Sequence, residues 1–190
     1  MSMKEAFDVF FGKMTQNYID VFGTLPQVPF QEELCKTGLI LTETKDNEGY
    51  VQWKPIIQTE KRSFDELEKY FGFEINEQIK DFLSTYWFLP LNGKIENGQG
   101  VVQLKLNGIT PCIDFESYVK YNFNRNGAHY LNDNNYFLIG TYCKISGDDS
   151  YLVQVNNETG EVTAVDVQDK KSIKLADSIE ELLKNMKGIW

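Results

Sequence analysis

The last third of the chain places the tightest limit on the fold. Tyr136–Tyr142, Ser150–Val155 and Val162–Val167 are short runs rich in β-branched and aromatic residues. Ser146-Gly147-Asp148-Asp149 separates the first two, and Asn156-Asn157-Glu158-Thr159-Gly160 separates the last two. Both separators have turn chemistry, which predicts an antiparallel three-strand meander.

The rest of the chain alternates helical periodicity with punctuation. Phe7, Phe10, Phe11, Met14, Tyr18, Val21 and Phe22 recur at helical spacing, predicting an amphipathic helix over 3–22 whose aromatic stripe is core. Gly23 stops it, and Pro26 and Pro29 prevent resumption. Leu39–Thr44 and Tyr50–Pro55 predict a hairpin across the turn-forming Lys45–Gly49. Ser63 with Glu66 has the spacing of a capping box, opening a helix that buries Phe64, Leu67, Tyr70 and Phe71 and ends at Gly72. A further helix is expected from Asn76 to about Trp87, with Ile79, Phe82, Leu83 and Tyr86 inward.

Residues 92–100 are rich in Gly and Asn and read as a loop, followed by a strand over Gly100–Leu106. Asp114 is placed to cap a helix over 115–124, and 125–135 reads as a second polar loop. A closing helix starts near Asp177, which with Glu180 resembles a capping box, and packs Ile179, Leu182, Leu183 and Met186 inward. Neither a repeat nor a linker divides the chain, so residues 1–190 are expected to form one domain. The predicted class is α+β: a mainly antiparallel sheet packed by N-terminal, central and C-terminal helices.

Composition then limits the partners. The 190 residues include 28 acidic and 19 basic side chains, a net charge of −9. That excess repels phosphate backbones and anionic membrane surfaces, and attracts basic protein patches. The same acidity also keeps a protein soluble, whatever its function. Cys35, Cys112 and Cys143 are odd in number and widely spaced, and read as buried thiols in strand contexts within a reducing compartment. Lys4, Glu5 and Asp8 interrupt the apolar residues at the N-terminus, so no secretory leader is expected, and no run is long enough for a membrane span. The prediction is a cytoplasmic protein with no lipid insertion.

The residues that catalysis needs are sparse. The one histidine, His129, lies in a polar loop with no GxSxG to serve. Gly98-Gln99-Gly100 lacks the third glycine and the strand-to-helix setting of a dinucleotide loop. Asn132-Asp133-Asn134-Asn135 lacks the glycine and closing glutamate of a calcium loop. No cofactor and no metal are expected, and the reading is non-enzymatic. A carboxylate-dependent hydrolase stays open as an alternative, because two convergent acids in one cleft leave no spacing signature.

Several segments resemble a known family. Val51-Gln52-Trp53-Lys54-Pro55 resembles the tryptophan–proline strand of the bacterial Syd proteins. The ordered set Tyr136–Gly140, Tyr151–Asn156, Thr159-Gly160-Glu161-Val162 and Leu175–Leu183 is similar to the closing meander and helix of Syd and of the wider SUKH superfamily. The resemblance implies one of two non-catalytic roles. Syd proteins are peripheral cytoplasmic proteins that bind basic loops of the SecY translocon through an acidic face. Many other SUKH members are immunity proteins that neutralise toxins, often nucleases.

The primary expectation is therefore an immunity-type protein that binds and neutralises a basic toxin domain, with SecY binding as the alternative. An acidic face suits both, because a nuclease site is built for phosphates and cytoplasmic loops are rich in Lys and Arg. Asp148, Asp149, Glu158, Glu161 and Asp166 are the candidate charges, read otherwise as a solvated rim. Trp53 is the candidate aromatic anchor, read otherwise as packed core.

Overall fold

Helix α1 forms over Met3–Phe22, as its periodicity predicts, and Ser2 and Glu5 close it in a reciprocal capping box. Its first three turns bury Met3, Ala6, Phe7, Phe10, Phe11 and Met14. The last turn leaves the core, so Val21 and Phe22 are exposed rather than buried as expected. The Phe7 ring lies 5.2–5.7 Å from those of Phe11, Phe82, Tyr86 and Phe88, joining the helix to the centre of the fold.

The computed structural model describes residues 1–42, 44–97, 100–126, 135–144, 150–166 and 171–188. Among these, the remaining elements are β1 (Gln27–Pro29), α2 (Glu32–Cys35), β2 (Tyr50–Gln52), β3 (Ile56–Ile57), α3 (Asp65–Phe71), α4 (Glu77–Thr85), β4 (Tyr86–Trp87), β5 (Leu91–Asn97) and β6 (Gly100–Leu106). They continue with α5 (Phe115–Asn126), β7 (Tyr136–Lys144), β8 (Ser150–Asn156), β9 (Val162–Asp166), β10 (Ser172–Ala176), α6 (Ile179–Asn185) and β11 (Lys187–Gly188).

The main sheet has seven strands in the order β10-β9-β8-β7-β6-β5-β11, and every pair is antiparallel. The meander β7-β8-β9 forms as predicted, and the class is α+β. Tyr151, Val153 and Val155 of β8 align with Asp166, Ala164 and Val162 of β9. The apolar members of these pairs share one core with α1, α4, α5 and α6. Phe71, Phe73, Phe123 and Phe137 pack ring against ring around α5, their contacting ring centroids 4.9–5.5 Å apart.

Several expectations are corrected. Residues 92–97 form part of strand β5 and not a loop, because Leu91, Gly93 and Ile95 alternate inward and pair with β6. Segment 50–52 pairs with β1, and the expected partner 39–44 contributes one bridge, Ile40 to Trp53. Ser63 Oγ accepts from the Asp65 N–H at 3.2 Å and forms no box with Glu66. Helix α6 is capped one residue later than predicted: Ser178 Oγ accepts from the Glu181 N–H, and Glu181 Oε2 accepts from the Asp177 N–H. Cys35 lies in a short helix and is half-buried, while Cys112 is exposed, so neither is the buried strand thiol expected.

Candidate functional site

The turn between β8 and β9 is tied to α4. Asn156 Oδ1 accepts from the N–H groups of Glu158 and Thr159 at 2.8 and 2.9 Å, which closes the turn on itself. Asn157 faces the other way and is buried. Its Oδ1 accepts from the Asn76 N–H, and its Nδ2 donates to Glu74 O, both at 2.8 Å. Gly160, at φ 78°, lies against the Gln78 side chain, where any Cβ collides. Gln78 Oε1 in turn accepts from the Ile179 N–H at 3.1 Å. Residues 74–78, 156–161 and 177–181 therefore meet at one end of the molecule.

The side chains gathered there are mostly carboxylates. Glu74, Glu77, Asp81, Glu158 and Asp177 are exposed, and Glu161, Glu180 and Glu181 are half-buried. The lysines of this end are already engaged or stand at its rim. Lys80 pairs with Glu68 at 2.8 Å and Glu77 at 2.9 Å. Lys174 pairs with Asp177 at 2.5 Å and Glu161 at 2.8 Å. Hydrogen bonds to Asp177 and then Glu161 hold the Lys174 ammonium above its ordinary pKa. Lys184 lines a small cleft beside Glu180 and Glu181. Partial burial, followed by repulsion from Glu77 and Glu180, pushes the Asp81 carboxyl above its ordinary value. The local field is thus negative despite the bound lysines.

Part of this acidity serves the helices. Glu77 opens α4, and Glu180 and Glu181 open α6, where negative charge is favoured by the helix dipole. Glu180 and Glu181 share a cleft of about 380 Å³. They are sequence neighbours on a helix and do not face each other, and Glu181 is engaged as a cap, so the pair does not converge on one reacting atom.

Of the residues singled out in the sequence, Glu158 and Glu161 belong to this end. Asp166 does not, because it closes the opposite end of β9, roughly 13 Å along the strand, where its N–H donates to Lys171 O at 2.9 Å. Trp53 is 4% exposed and packed in the core, and its backbone N–H donates to Pro26 O. Asp148, Asp149, His129, Gly98-Gln99 and Asn132-Asp133-Asn134 lie outside the described residues, as does the Cys143 side chain. Glu74, Glu77, Asp81, Asp177, Glu180 and Glu181 were missed as contributors. Glu77, Glu180 and Glu181 carry the signal of an acidic first turn of a helix, which does not reveal that the two helix starts adjoin.

Among the described residues, no helix is long and apolar enough to cross a membrane. Residues 5–107 match the model of the Syd protein (SUKH-2) family, a span that includes Val51–Pro55. Protein Syd of Shewanella pealeana is 25% identical over 185 residues, covering 96% of this chain and 81% of the relative. Protein Syd of Shewanella frigidimarina is 25% identical over 190 residues, covering 98% and 82%. These alignments extend through the meander and the acidic end, and the chain belongs to the Syd (SUKH-2) family.

Proposed function

We propose that the protein is a docking module that presents its acidic end to a Lys/Arg-rich segment of another protein, and that this segment is a cytoplasmic loop of the SecY channel. The observation that carries the reading is the convergence of Glu74, Glu77 and Asp81 with Glu158, Glu161, Asp177, Glu180 and Glu181 through the Asn157 and Gln78 bridges. Such a field accelerates encounter with a basic partner and weakens as salt screens it. Membership of the Syd family favours SecY over a toxin domain as the partner. Toxin neutralisation, the other role within the superfamily, would rely on the same electrostatics. Cytoplasmic loops carry an excess of Lys and Arg, so the partner supplies the complementary charge.

The test is sedimentation of the purified protein with membrane vesicles that contain or lack SecY. Retention is expected only on SecY-containing vesicles at low salt, with release at about 0.5 M salt, where the Debye length falls to a few ångströms. The double variant Glu74→Lys and Glu158→Lys changes two exposed carboxylates and should abolish retention while leaving the fold intact. Equal retention on vesicles without SecY, or retention indifferent to salt and to both substitutions, overturns the proposal.

A further inference from the structure

At the far end of α4 from the acidic cluster, residues 58–62 and Trp87 line a cleft of about 510 Å³. The nine residues of α4 put the two ends roughly 13 Å apart. Gln58 builds one wall. Its backbone N–H donates to Thr85 O at 3.0 Å, and its Nε2 donates to Leu83 O at 3.0 Å and Tyr86 O at 2.9 Å. Its Oε1 accepts from Arg62 Nε at 3.3 Å. The Arg62 guanidinium also lies over the rings of Phe115, at 4.0 Å, and Trp87, at 4.6 Å.

Two aromatic rings therefore flank the guanidinium carbon, and Gln58 holds its Nε edge. Among the described residues, neither Nη group has a protein acceptor. Among the described residues, no carboxylate forms an ion pair with Arg62, and the bond to Gln58 is the one hydrogen bond its guanidinium makes. Partial burial lowers the Arg62 pKa, and the nearby Glu60 charge opposes that only from a distance. A cation that is partly desolvated and held in place, but paired with no carboxylate among the described residues, is poised for an anion from outside.

We propose that this cleft is a carboxylate-binding site, in which the Nη edge of Arg62 takes both oxygens of one carboxylate side-on. A guanidinium fork matches the two oxygens of a planar anion. Lys61, exposed on the same cleft, adds a second positive charge. Glu60 on the lining and the net charge of −9 favour a singly charged group over a phosphate dianion. The carboxylate belongs either to a small organic acid or to an Asp or Glu side chain of a peptide, which present the same chemistry. A guanidinium that served only to staple residues 58–62 to Trp87 and Phe115 would bind no anion, so anion binding separates the two roles.

The experiment is an NMR titration of the full chain with acetate, with a terminally blocked glutamate-containing tripeptide, and with inorganic phosphate. It follows the Trp87 indole N–H and the Arg62 Nε–H. Saturable shifts at both groups are expected with a carboxylate dissociation constant on the order of 1–10 mM, the scale of a single charged contact. Arg62→Lys should weaken binding about tenfold or more, because a point charge replaces the fork. Lys61→Ala, which leaves the aromatic contacts of Arg62 untouched but removes the second charge, should weaken binding measurably and by less than Arg62→Lys does. Tighter binding of the peptide than of acetate assigns the site to protein segments, and equal binding assigns it to small acids. The absence of saturable shifts in the unmodified protein, unchanged binding in Arg62→Lys, or phosphate binding more tightly than acetate overturns the proposal.

Discussion

Asn157 joins two chain segments by using both halves of its amide. The carbonyl oxygen satisfies the Asn76 N–H at the start of α4, and the amino group satisfies Glu74 O. Asn157→Asp keeps the size but removes the donor, and it turns a carboxylate toward the Glu74 carbonyl. The expected cost is about 1–3 kcal/mol, since a buried acceptor loses its partner. Urea unfolding monitored by circular dichroism measures it, and Asn157→Ser should lie between the variant and the wild type. A second residue, Tyr86, gives a pH signature. Its hydroxyl donates to Asp8 Oδ1 at 2.5 Å, and burial, followed by the Asp8 carboxylate, pushes its pKa up to about 12. In the unfolded chain the phenol ionises near its ordinary value of 10.0. The folded state thus keeps a proton that the unfolded state releases. This contribution is complete below pH 10 and is lost as pH rises toward 12. Tyr86→Phe is expected to lose about 1 kcal/mol at neutral pH, but to decline less steeply than the wild type over that alkaline window. Urea midpoints measured at intervals from pH 7 to the onset of alkaline unfolding make the comparison.

At the scale of elements, α1 divides into a buried half and an exposed half. Phe10 is fully buried and Phe22 is 50% exposed, where its ring packs at a tilt on Tyr18 with ring centroids 5.4 Å apart. Phe10→Ala is expected to cost about 3–5 kcal/mol and Phe22→Ala about 1 kcal/mol or less, again read from urea unfolding. The periodicity of α1 was legible in the sequence, but how far the core extends along the helix was not. The cap of α6 offers a sharper contrast. Spacing alone favoured Asp177 with Glu180, whereas Ser178 with Glu181 makes the bonds. Ser178→Ala should therefore cost about 1 kcal/mol, while Asp177→Ala, which loses an exposed ion pair to Lys174, should cost less. Equal losses would return the cap to Asp177. Strand β5 was missed for a physical reason. Gly93 occupies an inward position because the Met186 side chain fills the space over it, so the apolar atom at that position comes from another part of the chain. The meander was readable because its apolar residues lie within its own strands. The acidic end was only half readable: Glu158 and Glu161 stood out in a turn, but their neighbours arrive through Asn157 and Gln78, contacts between residues about 80 to 100 positions apart.

At the scale of the whole molecule, the seven-stranded sheet is the frame. Strands β7 and β8 have paired neighbours on both sides, and their inward side chains lie in the main core. The β3–β4 and β1–β2 pairs are separate two-stranded sheets. Two strands alone bury little, so their stability depends on what they lean against. The β3–β4 pair leads directly into the Arg62 cleft through Gln58 and the Thr85 carbonyl. Native-state hydrogen exchange is expected to divide the molecule accordingly. Amides of Val153 and Val155 should exchange only through global unfolding, with free energies on the order of 5–15 kcal/mol that fall with denaturant at the full equilibrium slope. Amides of β3 and β4 should exchange through smaller openings, with lower free energies and a shallow slope. Identical slopes at both places would make the β3–β4 pair part of the same cooperative unit as the frame. Saturating acetate provides the link to function: it should slow exchange in β3 and β4 while leaving β8 unchanged, because an anion held by Arg62 stabilises only the closed form of that local unit.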